Sequence, residues 1–428
     1  MELCHAAPMT NRPQISAAQA SLFSRERVLS LTGRAGNETL DPWGPELRPL
    51  RNPLVVGRGG HDTIQAAIDH AISNGQTQID IDVQTPENSG LVYIPKGIEV
   101  AMTGPATVMA NIDAEMSGAE YRARFGPHFE HSPPPVRSMF ERIAKRHKIT
   151  TANASVLRIE GDGFQAQTLT IQNTYDCTRP GTDADATRNE AGQFVTGQHQ
   201  AVAVLVAGAD RCHFDNVRMG SFQDTLYLQH PADFETSRSY FHGCDIEGDV
   251  DFIFGQATGY FEGCTLRSLG TRARQSWFTA PATNIRTTYG LVFNACRFEC
   301  YDPDNRGRHS LGRQWFEGVR ATPYGSPTID GYRCVADDQS WFDGTSGGLS
   351  RKSLESVGKC VILASEIDPK IQGWEPWNGG AWAPRYRPVL ANAGAFIQQT
   401  AGWADFRPEA YDDIAPDMVF LGEYQTRP

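Results

Sequence analysis

Two acidic residues stand beside apolar side chains and could do acid–base or nucleophilic chemistry. Asp251 lies in GDVDFIFG, residues 248 to 255, a segment that reads as a core strand with this carboxylate in its middle. Asp224 lies in GSFQDTLYL, where an amide residue, Gln223, precedes it. A buried carboxylate is costly unless it is paired or neutralised, so each aspartate is either a structural ion-pair partner or a chemical group.

A repeated phrase places the two aspartates in the fold. The segments FDNVRM, FHGCDI, FEGCTL and FNACRF start at Phe214, Phe241, Phe261 and Phe293, with spacings of 27, 20 and 32 residues. Short alternating apolar strands at such periods are typical of a solenoid whose coils stack on one another. Since helical periodicity is scarce here, the sequence predicts an all-β fold, a parallel β-helix.

Stacking of the coils predicts that the two aspartates are neighbours. Asp224 stands ten residues after Phe214, and Asp251 stands ten residues after Phe241. Equivalent positions on adjacent coils lie about 4.8 Å apart. Two carboxyl groups this close cannot both ionise cheaply, so one holds a proton while the other stays charged, which suits an acid beside a base or nucleophile. A ladder of aspartates that holds turns is the structural alternative.

Two cysteines occupy another equivalent pair of positions. Cys244 and Cys264 both stand three residues after the phenylalanine of the repeat, in a chain with nine cysteines. A separation of about 4.8 Å falls inside the Cα range of a disulfide, which would add roughly 3 kcal/mol of stability and indicate an oxidising compartment. The alternative is a pair of reduced thiols in the core.

The remaining chain supports one large domain with additions. Residues 1–44 are polar and are predicted to be a peripheral or partly mobile extension, and residues 45–428 are predicted to form a single β-helix domain. The segment that starts at Val55 reads as a strand, a glycine turn and an amphipathic helix that could cap the open end of the β-helix. An insertion at about 111–150 breaks the repeat and contains a short basic helix whose charges are expected to be solvated.

Composition excludes several function classes. The net charge of −11 and the pI of about 5.5 argue against nucleic acid as a partner. No apolar run reaches the length of about 18 residues that a membrane span needs, and the N-terminus lacks the apolar core of a secretory signal. The histidines show no pair at metal-ligand spacing and no C-x-x-C occurs, so we expect no metal.

Several motifs together resemble one known family. The blocks GQHQAVAVLV, GSFQDTLYL, GDVDFIFGQATGYFEGC, FTAPATNIRTTYGLVF and LGRQW occur in the order and at roughly the spacing of the signature blocks of the pectin methylesterases (pectinesterases, carbohydrate esterase family 8). The resemblance covers the chain from about Val55 to its end. The insertion is similar to one in a Gram-negative branch that includes outer-membrane lipoproteins. Where the family has LGRPW this chain has LGRQW, which leaves Arg313 and Trp315 at their spacing.

The resemblance implies a fold, an activity and a place of action. The fold would be a right-handed parallel β-helix, and the activity hydrolysis of the methyl esters of homogalacturonan to methanol and de-esterified pectin. No metal and no organic cofactor are implied. The enzyme would act as a monomer that is secreted or associated with the outer membrane, although no signal sequence is evident in this chain.

The resemblance also implies a role for individual residues. Asp251 would be the nucleophile, and Asp224 the acid that protonates methanol and then the base that activates water. Gln200 and Gln223 would donate hydrogen bonds to the tetrahedral oxyanion. Arg313 would hold the nucleophile ionised.

Further positions would bind the substrate or join the coils. Trp315 would lie against the sugar, and Tyr227 and Phe254 would line the groove. The family pairs two cysteines at the positions of Cys244 and Cys264, which favours the disulfide.

Other functions stay open at this stage. Two close carboxylates also suit a retaining glycosidase, and pectate lyases use β-helices with calcium. A non-catalytic carbohydrate-binding or envelope protein could have kept the groove. The glutamines, Arg313 and the aromatic residues could each serve packing or ion pairing alone, and fold analogy does not choose among these functions.

Overall fold

Three parallel β-sheets form the walls of a solenoid. Each full coil contributes one strand to each sheet in turn, and one of the sheets has an additional strand at each end of the solenoid. The computed structural model describes residues 12–181, 187–273, 275–301, 307–316, 332–333, 339–342, 349–377, 386–401 and 408–428. Every pairing within these three sheets is parallel, and the apolar side chains between them form one continuous core. The parallel β-helix predicted from the sequence is confirmed.

The three sheets are named here by their strands. Sheet I contains Leu54–Val56, Gln78–Val83, Glu99–Thr103, Gln165–Gln167, Cys212–Asp215, Arg238–His242, Thr258–Glu262, Leu291–Asn294, Cys360–Leu363 and Leu421–Tyr424. Sheet II contains Glu87–Ser89, Thr107–Ala110, Thr170–Asn173, Arg218–Gly220, Asp245–Gly248, Thr265–Ser268, Arg297–Cys300 and Glu366–Ile367. Sheet III contains Val92–Ile94, Ser155–Ile159, Val202–Ala207, Leu226–Gln229, Ile253–Gly255, Gln275–Pro281, Arg308–Arg313 and Ile371–Glu375.

The repeated phenylalanines form a ladder inside the core. Phe214, Phe241, Phe261 and Phe293 pair in register on successive strands of sheet I, as the repeat predicted. Their ring centroids are 4.8, 4.5 and 4.5 Å apart, and the rings are nearly parallel. Stacked apolar rings at one position of each coil keep the register of the neighbouring strands, because a slip of one residue would turn them toward solvent.

The predicted disulfide between Cys244 and Cys264 is contradicted by the structure. Both residues are free and fully buried, and a third free cysteine, Cys296, occupies the equivalent position of the next coil. Each thiol contacts backbone carbonyl oxygens at 3.4–3.6 Å. Strand spacing separates the Cβ atoms of stacked, parallel side chains by about 4.8 Å, whereas a disulfide needs about 3.8 Å. Burial raises the pKa of the Cys264 thiol well above its ordinary value.

Helices close the end of the solenoid where the chain enters it. The predicted cap is confirmed as the helix Ile64–Ser73, whose apolar face packs on the first coil. The insertion forms two helices, Gly118–Phe129 and Pro134–Ala144, whereas the sequence predicted only one. Tyr93 of the first sheet III strand stacks on an aromatic ring of the insertion at 5.0 Å. The insertion therefore adds a second apolar layer to this end.

The described part of the predicted extension, residues 12–44, is more regular than expected. It packs an apolar cluster against the outside of sheet I, and the buried guanidinium of Arg238 bonds to Asp41 and to the carbonyl oxygen of Leu29. Residues 1–11 lie outside the described residues, and the division into an extension and one domain stays a prediction. The elements in this part are Ala17–Ala20, Ser21–Phe23 (3-10), Arg25–Val28, Leu31–Arg34 and Asn37–Leu40.

A few shorter elements complete the described chain. Leu31–Arg34 pairs antiparallel with Asn37–Leu40 and Glu235–Thr236. None of the described helices is long and apolar enough to cross a membrane. The other elements are Thr151–Asn153 (3-10), Tyr332–Arg333, Gln339–Phe342, Leu349–Ser350, Arg351–Glu355, Ala393–Thr400 and Pro408–Tyr411 (3-10).

Candidate active site

A long groove crosses the outer face of sheet III. Its volume is about 960 Å³, and both aspartates, both predicted amide residues and the predicted aromatic residues line it. The turns that lead from sheet II into sheet III form one wall, because each coil makes this turn at the same side. The structure thus brings together the residues that sequence analysis assigned to one site: Gln200, Gln223, Asp224, Tyr227, Asp251, Phe254, Arg313 and Trp315.

Asp224 and Asp251 occupy equivalent turns on adjacent coils. Gln223 pairs with Val250 in a parallel bridge, and the Asp224 N–H donates to the Val250 carbonyl oxygen at 3.0 Å. The two aspartates have φ angles of 66° and 51°, in the left-handed region. The expectation that Asp251 lies within a strand is wrong: it precedes the strand Ile253–Gly255. Aspartate tolerates this backbone better than most residues, and strained backbones of this kind cluster at functional sites.

The Asp224 carboxyl group is buried in surroundings that favour its neutral form. Its pKa is raised well above its ordinary value of 3.8, mainly by burial and then by the nearby charge of Asp251, with Arg313 opposing the shift. Its side chain is without a hydrogen-bonding partner among the described residues, and the residue is 7% exposed. A carboxyl group that keeps its proton near neutral pH can act as a general acid.

Asp251 has a different environment, although it is equally buried. The Arg313 guanidinium donates from Nε to Oδ1 at 2.9 Å and from its terminal nitrogen to Oδ2 at 2.5 Å. Such a two-point contact favours the ionised carboxylate and fixes its plane. The two carboxyl groups therefore differ in their surroundings: an arginine binds Asp251, whereas burial raises the pKa of Asp224.

The two glutamines sit at the side of the carboxyl pair. The N–H of His199 donates to the Gln223 Oε1 at 3.1 Å, which orients the amide and leaves its Nε2 unpaired within the described part of the chain. The Gln200 Nε2 donates to the side-chain oxygen of Gln198 at 3.3 Å. Burial lowers the pKa of His199 to about 4, so its ring is neutral. An oriented amide N–H is the type of donor that stabilises an oxyanion.

The aromatic residues form a platform beside the carboxyl groups. Tyr227 and Phe254 stack with their centroids 4.2 Å apart, and the edge of Trp315 meets both rings at 6.3 and 5.7 Å. Trp315 is half-buried, so part of its ring faces the groove. Flat apolar faces of this kind suit the C–H faces of a sugar ring.

Sequence analysis missed several residues of the site. Trp277 and Trp377 lie 3.8 and 4.4 Å from the Arg313 guanidinium, measured to the ring centroids. Asp249 and Arg272 form a buried ion pair, and Arg272 is among the residues that line the groove. Trp277 directly precedes the FTAP block, but neither tryptophan belongs to the repeat, so their spacing carried no signal.

The oriented amide of Gln223 leads to a prediction about catalysis. From the role that the family resemblance implies for Gln223, we expect Gln223→Ala to lower kcat for ester hydrolysis by about 10²- to 10³-fold with little change in KM, because a donor to the oxyanion acts in the transition state. Gln256→Ala is the matched control, since Gln256 is also buried but is not among the residues that line the groove. Steady-state kinetics of both variants measures this, and a loss below about three-fold in Gln223→Ala would contradict the assigned role.

Comparison with known proteins gives a consistent result. Residues 139–323 match the family described as Pectinesterase. Pectinesterase B of Dickeya dadantii (strain 3937) is 30% identical over 414 residues, which cover 89% of this chain and 85% of the relative. YbhC of Escherichia coli (strain K12), named as a candidate acyl-CoA thioester hydrolase, is 30% identical over 334 residues, which cover 72% of this chain and 73% of the relative.

A solved structure agrees with the fold. The structure of rice weevil pectin methyl esterase matches with a TM-score of 0.70 and 23% identity, and the match covers 98% of each chain. At this identity the likeness concerns the fold alone.

Proposed function

The chain belongs to the pectinesterase family and is a carboxylic ester hydrolase, and we propose that its Asp251 and Asp224 hydrolyse the methyl esters of galacturonate in homogalacturonan. One observation supports these roles above the others. Two equivalent carboxyl groups face one groove, but only Asp251 is paired with an arginine, whereas burial raises the pKa of Asp224. The environments therefore separate a nucleophile from an acid.

The first half of the reaction forms an acyl-enzyme. A carboxylate oxygen of Asp251 attacks the ester carbonyl carbon, and the electron pair of the C=O bond moves to its oxygen, where the amides of Gln223 and Gln200 donate hydrogen bonds. When this C=O bond forms again, the bond to the methoxy oxygen breaks. Asp224 gives its proton to that oxygen, and methanol leaves.

The second half restores the enzyme. Asp224, now a carboxylate, takes a proton from a water molecule whose oxygen attacks the acyl carbon of the Asp251 anhydride. The anhydride bond breaks, so Asp251 regains its carboxylate and the polymer leaves with a free carboxylic acid on that galacturonate unit. The sum of both halves is one ester and one water converted to one methanol and one carboxylic acid.

The groove fits a sugar polymer of low charge. The aromatic platform of Tyr227, Phe254 and Trp315 lies next to the carboxyl groups. Highly methylated pectin is nearly neutral, so the net charge of −11 does not repel it. The product is an anion and is expected to leave more easily.

Methanol release from highly esterified pectin tests the proposal. We expect methanol without new reducing or unsaturated chain ends. New chain ends without methanol would indicate a glycosidase or lyase rather than an esterase. No reaction at all would indicate a carbohydrate-binding protein. The same enzyme is also assayed with acyl-CoA. Release of free thiol from acyl-CoA, together with no methanol from pectin, would instead indicate thioester hydrolysis.

The substrate also suggests where the enzyme acts. Pectin is a polymer of plant cell walls, too large to enter an intact cell, so we propose that the enzyme works outside the cytoplasm, secreted or on the outer membrane, where it modifies and degrades pectin. Cell fractionation followed by the methanol assay tests this, and activity confined to the cytosol would contradict it.

A further inference from the structure

We infer that Trp277 is a positioning residue that fixes Arg313 against Asp251, an inference that rests on the proposed function of Asp251. Trp277 belongs to the sheet III strand Gln275–Pro281, and 9% of its surface is exposed. Its ring contacts Arg313, and its backbone bonds to the residues on both sides of Asp251. Sequence analysis assigned this residue no role.

The backbone of Trp277 holds the turn that carries Asp251. Its N–H donates to the Asp249 carbonyl oxygen at 2.9 Å, and its own carbonyl oxygen accepts from the Phe252 N–H at 3.4 Å. These contacts lie on both sides of Asp251, whose φ is 51°. Because they use main-chain atoms, a change of the Trp277 side chain leaves them available.

The ring of Trp277 holds the guanidinium of Arg313. The guanidinium carbon lies 3.8 Å from the ring centroid, and Trp377 provides a second ring at 4.4 Å. A cation over an aromatic face is attracted to it, most strongly where water is excluded. The flat guanidinium therefore keeps one orientation, in which two of its nitrogens reach the Asp251 carboxylate.

A hydrogen bond to Glu375 holds the ring of Trp277 in place. Its Nε1 donates to the Glu375 Oε2 at 3.3 Å. The other oxygen of Glu375 accepts from Arg308 Nε at 2.7 Å and from the Ser310 hydroxyl at 2.6 Å. Glu375 thus stays in place as the anchor of Trp277, and an ordered chain of contacts leads from Glu375 through Trp277 and Arg313 to Asp251.

Two substitutions at position 277 test the role of the ring. We expect Trp277→Leu to lower kcat roughly ten- to thirty-fold with KM changed less than about two-fold, because loss of the cation–π contact frees Arg313. Trp277→Phe keeps an aromatic face and should restore most of kcat. Circular dichroism and the unfolding midpoint check that both variants fold. A rise in KM at unchanged kcat would overturn the inference, since it would make Trp277 a substrate contact.

A double-mutant cycle decides whether the ring acts through Arg313. In an Arg313→Gln background, Trp277→Leu should change kcat less than about two-fold. Trp315→Leu is the matched control: Trp315 touches the aromatic platform, so its effect should persist in that background. If Trp277→Leu lowers kcat equally in both backgrounds, this result would contradict the inference about Trp277 but not the proposed function. A parent enzyme without methanol release would contradict the proposed function instead.

Discussion

Replacing Asp251 by Asn is expected to lower kcat for methanol release by at least about three orders of magnitude, because the amide is not a nucleophile. The change is nearly isosteric, and asparagine accepts a positive φ like the 51° of this position as readily as aspartate. The fold should therefore persist, and the loss will report on chemistry. The readout is methanol release from highly esterified pectin in single-turnover and steady-state experiments.

The control for this prediction uses another aspartate of the same coil. Asp245 lies on the sheet II strand that leads into the turn of Asp251 and is partly exposed beside Arg218. Asp245→Asn removes one negative charge from the same region and should keep nearly full activity. Activity of Asp251→Asn within about ten-fold of the parent, with deamidation excluded by mass spectrometry, would end the assignment of Asp251 as the nucleophile.

Replacing Asp224 by Asn is expected to lower kcat by about 10²- to 10⁴-fold, because methoxide is a poor leaving group that needs a proton. The loss should depend on the leaving group. A nitrophenyl ester of the same sugar releases a stable anion without an acid, so we expect its acylation step to be much less impaired in this variant. Equal losses with the methyl and the nitrophenyl ester would contradict the role of Asp224 as the acid.

The same variant should become more stable at neutral pH. Burial and the charge of Asp251 raise the pKa of Asp224 above its ordinary value of 3.8, so the folded protein binds this proton more tightly than the unfolded chain. The stability that Asp224 contributes is complete below pH 3.8 and is lost as the pH rises through the folded-state pKa. Asparagine stays neutral throughout and avoids this loss.

Thermal unfolding at several pH values measures that effect. We expect the Tm of Asp224→Asn to exceed that of the parent by an amount that grows from pH 4 to pH 8. A Tm difference that is constant over this range would show that the Asp224 carboxyl group does not keep its proton in the folded protein. The parent should also lose activity as rising pH removes this proton.

Residues within the repeat were predictable from their spacing. The phenylalanine ladder and the pairing of Asp224 with Asp251 follow from one rule: equal offsets in successive coils fall at equal positions. The same rule misled the prediction for Cys244 and Cys264. Equivalent positions are close enough for two carboxyl groups to interact, but parallel side chains remain too far apart for a covalent bond between sulfur atoms.

Contacts between unrelated parts of the chain were not predictable in this way. Trp277, Arg313 and Trp377 come from three separate strands or strand ends, and no shared spacing connects them. The turn that carries Asp251 was predicted to be a strand, because its apolar neighbours Phe252 and Ile253 match a strand pattern. That pattern gives no sign of the positive φ of the aspartate. The local pattern of apolar and polar residues predicts burial well but predicts the backbone angle φ poorly.

The sequence by itself determined the winding of the chain, the stacking of its coils and the meeting of two carboxyl groups, because a periodic chain repeats its geometry. Only the tertiary structure decided how the surroundings of the two carboxyl groups differ. That difference depends on the depth of burial around Asp224 and on the reach of Arg313 from a distant strand to Asp251. Electrostatic environment is a property of all neighbouring groups in space, and most of these neighbours are remote along the chain.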